Sequence, residues 1–581
     1  MKKKAAVVLT ITVLMELILN YFWPSPWNVH SIEMWLKLFV MTGILAIACL
    51  LSAGMMQWSG TTDNKKKLMW KRIFYLGSAL PFAVILVIAV GFVTGFQIFH
   101  ADDYADILPV EEVDSVGMIL SEDDSDSIAL MDTASAKQLG DREIGSIQNF
   151  SAFNVSDDYI QLNVKGDAVK VAPLEYAGFF KWMKNKDSGA AGYVTVSPTT
   201  MTADYVELPE GMKYIPSAYF STDLNRHLHR QFPTLIFDNS HFEIDEEGNP
   251  WYISSVYTKT IGLFGGEVVT GAIITDPVTG ESEYYDLNDV PQWADDVVDG
   301  TLICNLYNLS YKNKNGFWNG TFIGANTGCR QVTTIVYEEE DDRESGADFG
   351  YIAQDGDIYI YTGVTSMAAD SSNLGFIMAN ERTGECRYFQ MPGANEQSAM
   401  NAAEGEVQQY SYLASFPTLI NVDGELTYLG VLKDNAGLVK MYYTVNVKDY
   451  GKVVVASSRE ECISRYIDKM GLNPPQEVIE NLTGEIADDT GNGESSAGET
   501  ETEDVEFTIA VMQYADVEGN TWVYMGTADG TVYKARFADN EMLLFAKTGD
   551  VIRGTVTGSR LTVAEVKSAE APAAETGAVG N

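Results

Sequence analysis

The sequence predicts a membrane-anchored α+β protein. Three N-terminal transmembrane helices lead into repeated strand–strand–helix units outside the membrane, and a small β-barrel of OB or SH3 type closes the chain. Three observations carry this: long apolar runs confined to the first 99 residues, a turn motif that recurs with its flanking strands, and a short-stranded β pattern after an acidic linker. The 581 residues suffice for about three to five domains. They carry 39 Lys and Arg against 81 Asp and Glu, a net charge of −42. That balance excludes nucleic acid as a partner, because such binding needs basic surface to displace counterions. At 46% hydrophobic and 11% aromatic, the chain can build real cores.

Charge divides the chain at residue 99. The first 99 residues hold nine basic and three acidic side chains, so this segment is +6, whereas the other 482 hold 30 and 78, a net of −48. Residues 5–23, 35–56 and 74–99 are apolar runs near the roughly 20 residues that a helix needs to span a bilayer. In lipid a helix satisfies every backbone group within itself. The first run follows Lys2–Lys4 as a signal peptide would, but it ends in Tyr21-Phe22-Trp23-Pro24 with no small-x-small cleavage site, so it is read as retained. Basic residues cluster before the first run and at Lys65, Lys66, Lys67, Lys71 and Arg72. The positive-inside rule then places the N-terminus in the cytoplasm and all residues beyond 100 outside the plasma membrane. Tyr21, Phe22, Trp23 and Trp27 fit an outer aromatic belt, and Trp58 and Trp70 an inner one. Glu16 is an intramembrane carboxylate, which is costly to bury and marks a candidate functional position.

Residues 100–149 read as an acidic juxtamembrane spacer, with one strand at 116–120. Residues 150–240 form a first α+β region. It has a strand at 159–164, a helix over 174–186 opened by Pro173, and a strand at 193–196. Residues 241–475 contain an internal repeat. One copy reads Asp245-Glu-Glu-Gly248, then Gly271, then Asp276-Pro-Val-Thr279-Gly280-Glu281, Tyr284-Tyr285 and Pro291. A second reads Asp355-Gly356, then Gly375, then Asn380-Glu-Arg-Thr383-Gly384-Glu385, Tyr388-Phe389 and Pro392. A third, at Asp423-Gly424 and Asp449-Tyr-Gly451, leads into a helix at 459–470 with the apolar stripe Ile463, Tyr466, Ile467 and Met470. In the first copy a helix is expected to open at Pro291 with Trp293 and Val297 on one side. The glycines supply left-handed turn positions, the strands between them pair as hairpins, and the helix covers one face.

This hairpin-plus-helix unit, with its Asp/Asn-x-x-Thr-Gly-Glu-type turn, resembles the small PepSY-type α/β units of exported bacterial proteins. Residues 391–449 resemble one set of membrane-anchored envelope proteins of Gram-positive bacteria. Met391-Pro-Gly-Ala-Asn-Glu, Ala399-Met-Asn-Ala-Ala-Glu-Gly405 and Leu432-Lys-Asp-Asn-Ala-Gly-Leu-Val-Lys-Met-Tyr442 carry that likeness. The resemblance implies a place in the cell envelope and a role in binding or restraining exported proteins, and it transfers no catalytic residue.

Residues 476–504 are an acidic linker without an aromatic between 487 and 503. Residues 505–567 read as the small barrel, with Phe507, Val511, Trp522, Tyr524, Tyr533, Leu544 and Val551 as its core and a tight turn at Asp529-Gly530. Residues 568–581 are an Ala- and Gly-rich tail.

Chemistry-bearing residues are few. His227, His229 and His241 cluster in sequence, and a His-x-His pair on a strand would share a face, as metal sites require. Arg226 and Arg230 bracket the pair and no carboxylate stands at zinc-like spacing, so no metal and no cofactor is expected. Cys304 and Cys329 are the candidate disulfide, with free buried thiols as the alternative. The acidic runs at 123–126 and 338–342 lack the spacing of a calcium loop. Tyr514, Trp522, Tyr524 and Tyr533 are either a ligand platform on the barrel or its core. No nucleophile elbow, Walker loop or dinucleotide fingerprint occurs. The expected function is a non-enzymatic envelope scaffold whose partners are the membrane, an exported or membrane protein and a second copy of the chain. The alternative is an envelope hydrolase acting on cell wall or protein.

Overall fold

The computed structural model describes residues 2–58, 64–113, 133–146, 152–199, 201–237, 240–321, 323–333, 349–354, 356–367, 372–434, 437–472, 474, 502–517, 520–527, 532–536, 543, 546–557 and 560–567. Two compact units divide the chain: Met1–Val455 with Cys462–Gly484, and Ala456–Glu461 with Glu485–Asn581.

The first unit begins with α1 (Lys2–Phe22), α2 (Ile32–Trp58) and α3 (Asn64–Thr94). Among the described residues two helical stretches are long and apolar enough to cross a membrane, Ile32–Leu51 and Gly77–Thr94. In α1 the described apolar stretch is shorter, Thr10–Phe22. Pro81 lies inside α3. The chain continues through α4 (Ala101–Ala105), β1 (Val110–Val113) and α5 (Thr133–Ser146). Within the 100–149 span read as an acidic spacer, β1 adds as a parallel edge strand to a sheet far along the chain. The strand expected at 116–120 lies outside the described residues.

Four copies of one sheet follow, where the sequence revealed three. The first comprises β2 (Phe153–Val155), β3 (Ile160–Val164), β4 (Asp167–Tyr176), α6 (Phe179–Asn185), β5 (Ala190–Ser197), β6 (Thr202–Met212) and then α7 (Leu224–Gln231). The second has β7 (Ile236–Phe237), β8 (His241–Ile244), β9 (Pro250–Ile261), β10 (Gly265–Thr275), β11 (Ser282–Asp286) and α8 (Gly300–Asn313). The third has β12 (Arg330–Val332), β13 (Gly350–Gln354), β14 (Asp357–Ser366), β15 (Ser372–Asn380), β16 (Cys386–Ala394) and α9 (Glu396–Glu406). The fourth has β17 (Leu413–Ala414), β18 (Thr418–Val422), β19 (Glu425–Lys433), β20 (Val439–Asn446), β21 (Val453–Ala456) and α10 (Arg459–Met470).

The pairing is the same in all four. Two short strands pair antiparallel along one edge of a long central strand (β4, β9, β14 or β19), and two further strands continue the antiparallel meander on its other side. The expected hairpins of the three legible copies are therefore present, each extended by a third strand before its helix.

Turn chemistry explains why the copies share this form. In the second copy Asp276 Oδ1 accepts from the N–H groups of Val278 and Thr279, and Gly280 N–H donates to the Asp276 carbonyl at 2.8 Å. In the third, Asn380 Oδ1 accepts from Arg382 and Thr383, and Gly384 N–H donates to the Asn380 carbonyl at 2.9 Å. In the first copy Met201 N–H donates to the Ser197 carbonyl at 2.9 Å, with Met201 itself at φ 57°. The turn is the same, but a methionine stands where the others have glycine, so its signature is lost from the sequence.

Two helix expectations are corrected. Pro173 does not open a helix. It sits at the last pair of β4 with β5, opposite Tyr193, a position where a missing N–H is tolerated, and the helix starts only at Phe179. Pro291 does not open one either. Residues 290–299 run as an irregular segment, and α8 starts at Gly300, capped by Asp299, whose side chain accepts from Leu302 N–H.

The sheets are buried on both faces, so their strands carry apolar residues in successive positions. Tyr252, Val256 and Ile273 of the second sheet face a core shared with the first sheet and α7. Ile253, Ala272 and Ile274 face the opposite way, into a core with α8 and the third sheet. The third sheet's other face, with Tyr361, Phe376 and Phe389, packs with α9 and the fourth sheet. On the fourth sheet, Tyr466 of α10 receives a hydrogen bond from the Thr427 hydroxyl at 2.8 Å.

The second compact unit contains a six-stranded sheet of β22 (Thr502–Thr508), β23 (Val511–Val517), β24 (Asn520–Gly526), β25 (Val532–Arg536), β26 (Val551–Thr557) and β27 (Arg560–Lys567). Its order is β22-β26-β27-β25-β24-β23. The core holds Phe507, Ile509, Val523, Met525, Ala535, Leu543, Ile552 and Val563. The expected phase in β24 is corrected by one residue: Val523 and Met525 are its buried positions, Tyr524 is half-buried, and Val511 is exposed. Leu544, the Asp529-Gly530 turn, most of the 476–504 linker and the tail lie outside the described residues.

Candidate functional site

The most unusual chemistry lies where the first three sheets meet. His241 and Glu243 project from β8, Asp295, Asp296 and Asp299 from the irregular 290–299 segment, and Asp357, Glu381 and Arg382 from the third sheet and its turn. Glu243 and Asp295 are wholly buried, and Glu381 and Asp357 nearly so. Burying this many carboxylates is costly unless backbone donors, cations or protons satisfy them.

Most of these oxygens are used to join sheets. Glu243 Oε2 and Oε1 accept from the N–H groups of Asp295 and Asp296 at 2.9 and 3.0 Å. Asp295 Oδ2 accepts from Asn163 N–H of β3 at 2.6 Å. Glu381 Oε1 accepts from Gly300 N–H at 3.1 Å, and its own carbonyl receives Val297 and Val298 N–H. Arg382 grips both oxygens of Asp357, which also receives Asn380 Nδ2. The 290–300 segment is thus held by the first, second and third sheets at once. Asp295 Oδ1 has no partner among the described residues.

Burial dominates the protonation of this cluster. It raises the carboxyls of Asp295 and Glu381 well above the usual range, and neighbouring carboxylates add to the shift: Glu243 beside Asp295, and Asp296 and Asp299 beside Glu381. Asp296 is raised by burial, with His241 pulling it back. Burial opposes the charge on His241, but Asp296 and the Glu243 carboxylate at 3.0 Å outweigh it and push the imidazole up to about 9. The cluster therefore holds extra protons at neutral pH.

A second feature joins the repeats to the helices. Trp27 N–H, between α1 and α2, donates to the Pro233 carbonyl at 2.7 Å, and Asn28 Nδ2 to that of Thr234. His30 Nδ1–H donates to the Leu263 carbonyl at 3.0 Å. Arg226 of α7 donates from Nε to the Tyr21 carbonyl at 3.1 Å and lies over the Tyr21 ring. The β9–β10 hairpin tip seats on α3: Phe264 packs against Phe92 and crosses Gly91, where a side chain would collide with it. In α2, Lys37 is buried over the Trp27 ring.

The sequence-predicted site residues are scattered. His227 and His229 lie on α7, not a strand, so they point along different faces of a helix. His227 pairs through Nε2 with Gly280 and Gln231, His229 through Nδ1 with Asn225, and His241 sits in the carboxylate cluster. Among the described residues no three His, Cys, Asp or Glu side chains are grouped to hold a metal ion.

Of the two readings of Cys304 and Cys329, the structure has the free buried thiols. Cys304 faces the core between the second and third sheets, whereas Cys329 lies against the Lys312 carbonyl. Eight residues of α8 separate those points, about 12 Å of helix.

Glu16 is half-buried on α1, and its Oε2 has no partner among the described residues. Tyr533 stacks on Phe507 at 4.2 Å, which places it with the core rather than on a platform. The side chains of Tyr514 and Trp522 lie outside the described residues.

Sequence reasoning missed the carboxylate cluster. A trace of it exists in β8, where His241-Phe-Glu243-Ile puts two polar groups on a face that is nevertheless covered.

No protein-family model matches the chain, and no curated protein matches it. Among solved structures, a levansucrase mutant from B. megaterium aligns over 79% of this chain and 96% of its own, at 10% identity and a TM-score of 0.17. A superposition that loose leaves fold and function to be argued from the residues themselves.

Proposed function

We propose that this chain is a membrane-anchored, extracytoplasmic scaffold of the cell envelope that binds or restrains an exported or membrane protein. The observation that carries the reading is the seat between the repeats and the helices. Trp27, Asn28, His30 and Tyr21 bond directly to α7, the segment after it and the β9–β10 tip. A four-sheet body fixed in that way presents a set surface at a membrane. Three spans, with the basic N-terminus and the basic 57–73 segment in the cytoplasm, give the topology that this role needs.

The buried carboxylates favour a scaffold over a hydrolase. Glu243, Asp295 and Glu381 spend their oxygens on backbone N–H groups that join sheets. A hydrolase would present such a group to substrate in a cleft. The likeness of the hairpin-plus-helix unit to PepSY-type modules supports the same reading.

The test is photo-crosslinking in intact cells from exposed positions on the fourth sheet's helix and turns, such as Glu460 and Tyr450, with the captured protein identified by mass spectrometry. One discrete partner, captured at several of these positions and lost when its gene is removed, supports the proposal. Capture of cell-wall fragments cleaved by the purified protein would replace it with the hydrolase reading.

A further inference from the structure

α6 and the loop before α7 form an exposed aromatic patch on an otherwise acidic body. Phe180 is 77% exposed, Met183 50% and Phe220 44%. Leaving such side chains in water is unfavourable, and a contiguous patch marks an interaction surface. The patch is rigid. Phe179 sits at the centre, with ring centroids 5.5 Å from Phe180, 5.7 Å from Trp182, 5.2 Å from Tyr219 and 6.2 Å from Phe220. Phe220 holds φ at 59°, a left-handed conformation that a bulky side chain adopts only when its surroundings impose it.

The group that holds Phe220 also fixes where the patch stands. Arg226 Nη1 donates to the Phe220 carbonyl at 2.5 Å, while its Nε donates to the Tyr21 carbonyl at the outer end of α1. One guanidinium therefore ties the strained aromatic loop to the last turn of the first apolar helix. Tyr21, Phe22 and Trp27 are themselves exposed there, so Arg226 links two exposed aromatic groups, one on the patch and one at the helix ends. Charge agrees. Phe179–Asn185 carries Lys181 and Lys184 and no acid, followed by Lys186 and Asp187, in a region of 482 residues that is −48. Aromatic and apolar side chains interleaved with lysines are the composition of an element lying in the headgroup boundary of an anionic membrane.

The geometry points to Phe180, Met183 and Phe220 as a second membrane contact, inserted into the outer leaflet beside α1 and steadied by Arg226. The occupant of the patch is the lipid bilayer, with anionic headgroups meeting the three lysines. The inference rests on the membrane-anchored reading above and adds to it that the body is fixed by its own surface as well as by its helices.

The experiment uses the full-length protein reconstituted in vesicles of phosphatidylcholine and phosphatidylglycerol. The vesicles include a phospholipid that carries a photoactivatable diazirine high on one acyl chain, and labelled peptides are mapped by mass spectrometry. Labelling is expected in α2 and in peptides containing Phe180, Met183 and Phe220. Phe180→Ser combined with Met183→Ser should cut the α6 labelling several-fold and leave α2 labelling and thermal stability unchanged, because both side chains point to the surface. Labelled α2 with unlabelled α6 and Phe220 overturns the inference while the anchor stands. Absence of label from α2 and α3 as well overturns the anchored reading beneath it.

Discussion

The Tyr284 ring lies across Gly271, and a Cβ on that glycine would collide with the ring and with the Tyr285 carbonyl oxygen. The same relationship holds between Gly375 and Tyr388 and between Gly192 and Tyr205, each pair thirteen residues apart. Each glycine sits at a register shift of its strand: Gly192 and Gly375 against the strand that carries the aromatic, and Gly271 against β9 on its other side. An aromatic from the neighbouring strand thus covers the bare backbone beside a bulge in three of the sheets.

Gly375→Ala should therefore destabilise the protein by about 1–3 kcal/mol, as overpacking does. Gly405, near the end of α9, has open space around its missing Cβ, so Gly405→Ala should be neutral or stabilising, by up to about 1 kcal/mol. Denaturant midpoints of both variants against the parent check the pair. Equal effects would remove the special place of Gly375.

The carboxylate cluster makes stability fall as pH rises. A group with a raised folded pKa contributes fully below its unfolded pKa and loses that contribution as pH rises through the folded one. For Asp296, the window runs from about 4 up to about 7, and for His241 from about 6.5 up to about 9. Both signs agree, so the melting temperature should decline steadily from mildly acidic to alkaline pH. A melting temperature that climbs between neutrality and pH 9 would show that the cluster is ionised without penalty.

Asp295→Asn keeps an oxygen for Asn163 N–H and prevents ionisation at this position as pH rises. It should be neutral or stabilising at pH 8 and should flatten the pH dependence. Glu243→Ala strips the acceptor from the buried Asp295 N–H and from Asp296 N–H, and should cost about 1–3 kcal/mol for each donor left unpaired. Thermal melts of the two variants over the same pH series separate these effects. A destabilised Asp295→Asn at high pH would mean that the charge itself is needed.

Cys304, Cys329, Cys386 and Cys462 are buried free thiols. Their reaction with a thiol reagent should wait for unfolding, and reductant should leave the melting temperature unchanged. A drop in melting temperature with reductant would restore the bridge that the sequence suggested.

What could be read in the sequence depended on local chemistry. The Thr-Gly-Glu turns at Gly280 and Gly384 announced two copies of the sheet, and the Ile463–Met470 stripe announced α10. The first copy was hidden because Met201 stands in the glycine position and Pro173 imitates a helix start. In β24, Val523 and Met525 take the core while Tyr524 is half-buried, and period alone could not choose between the two faces. The cluster joining Asn163, Glu243, Asp295 and Glu381 spans more than two hundred residues of chain. No short-range pattern records such a meeting.

Everything proposed for this chain depends on which side of the membrane holds the sheets. The direct measurement is labelling of single engineered cysteines with a membrane-impermeant maleimide in intact cells. Glu247→Cys lies on the exposed β8–β9 turn, and Lys66→Cys lies at the start of α3 beyond the α2–α3 connection. The account predicts that Glu247→Cys is labelled in intact cells and that Lys66→Cys is labelled only after permeabilisation. The reverse pattern would place the repeats in the cytoplasm and contradict the scaffold of the cell envelope.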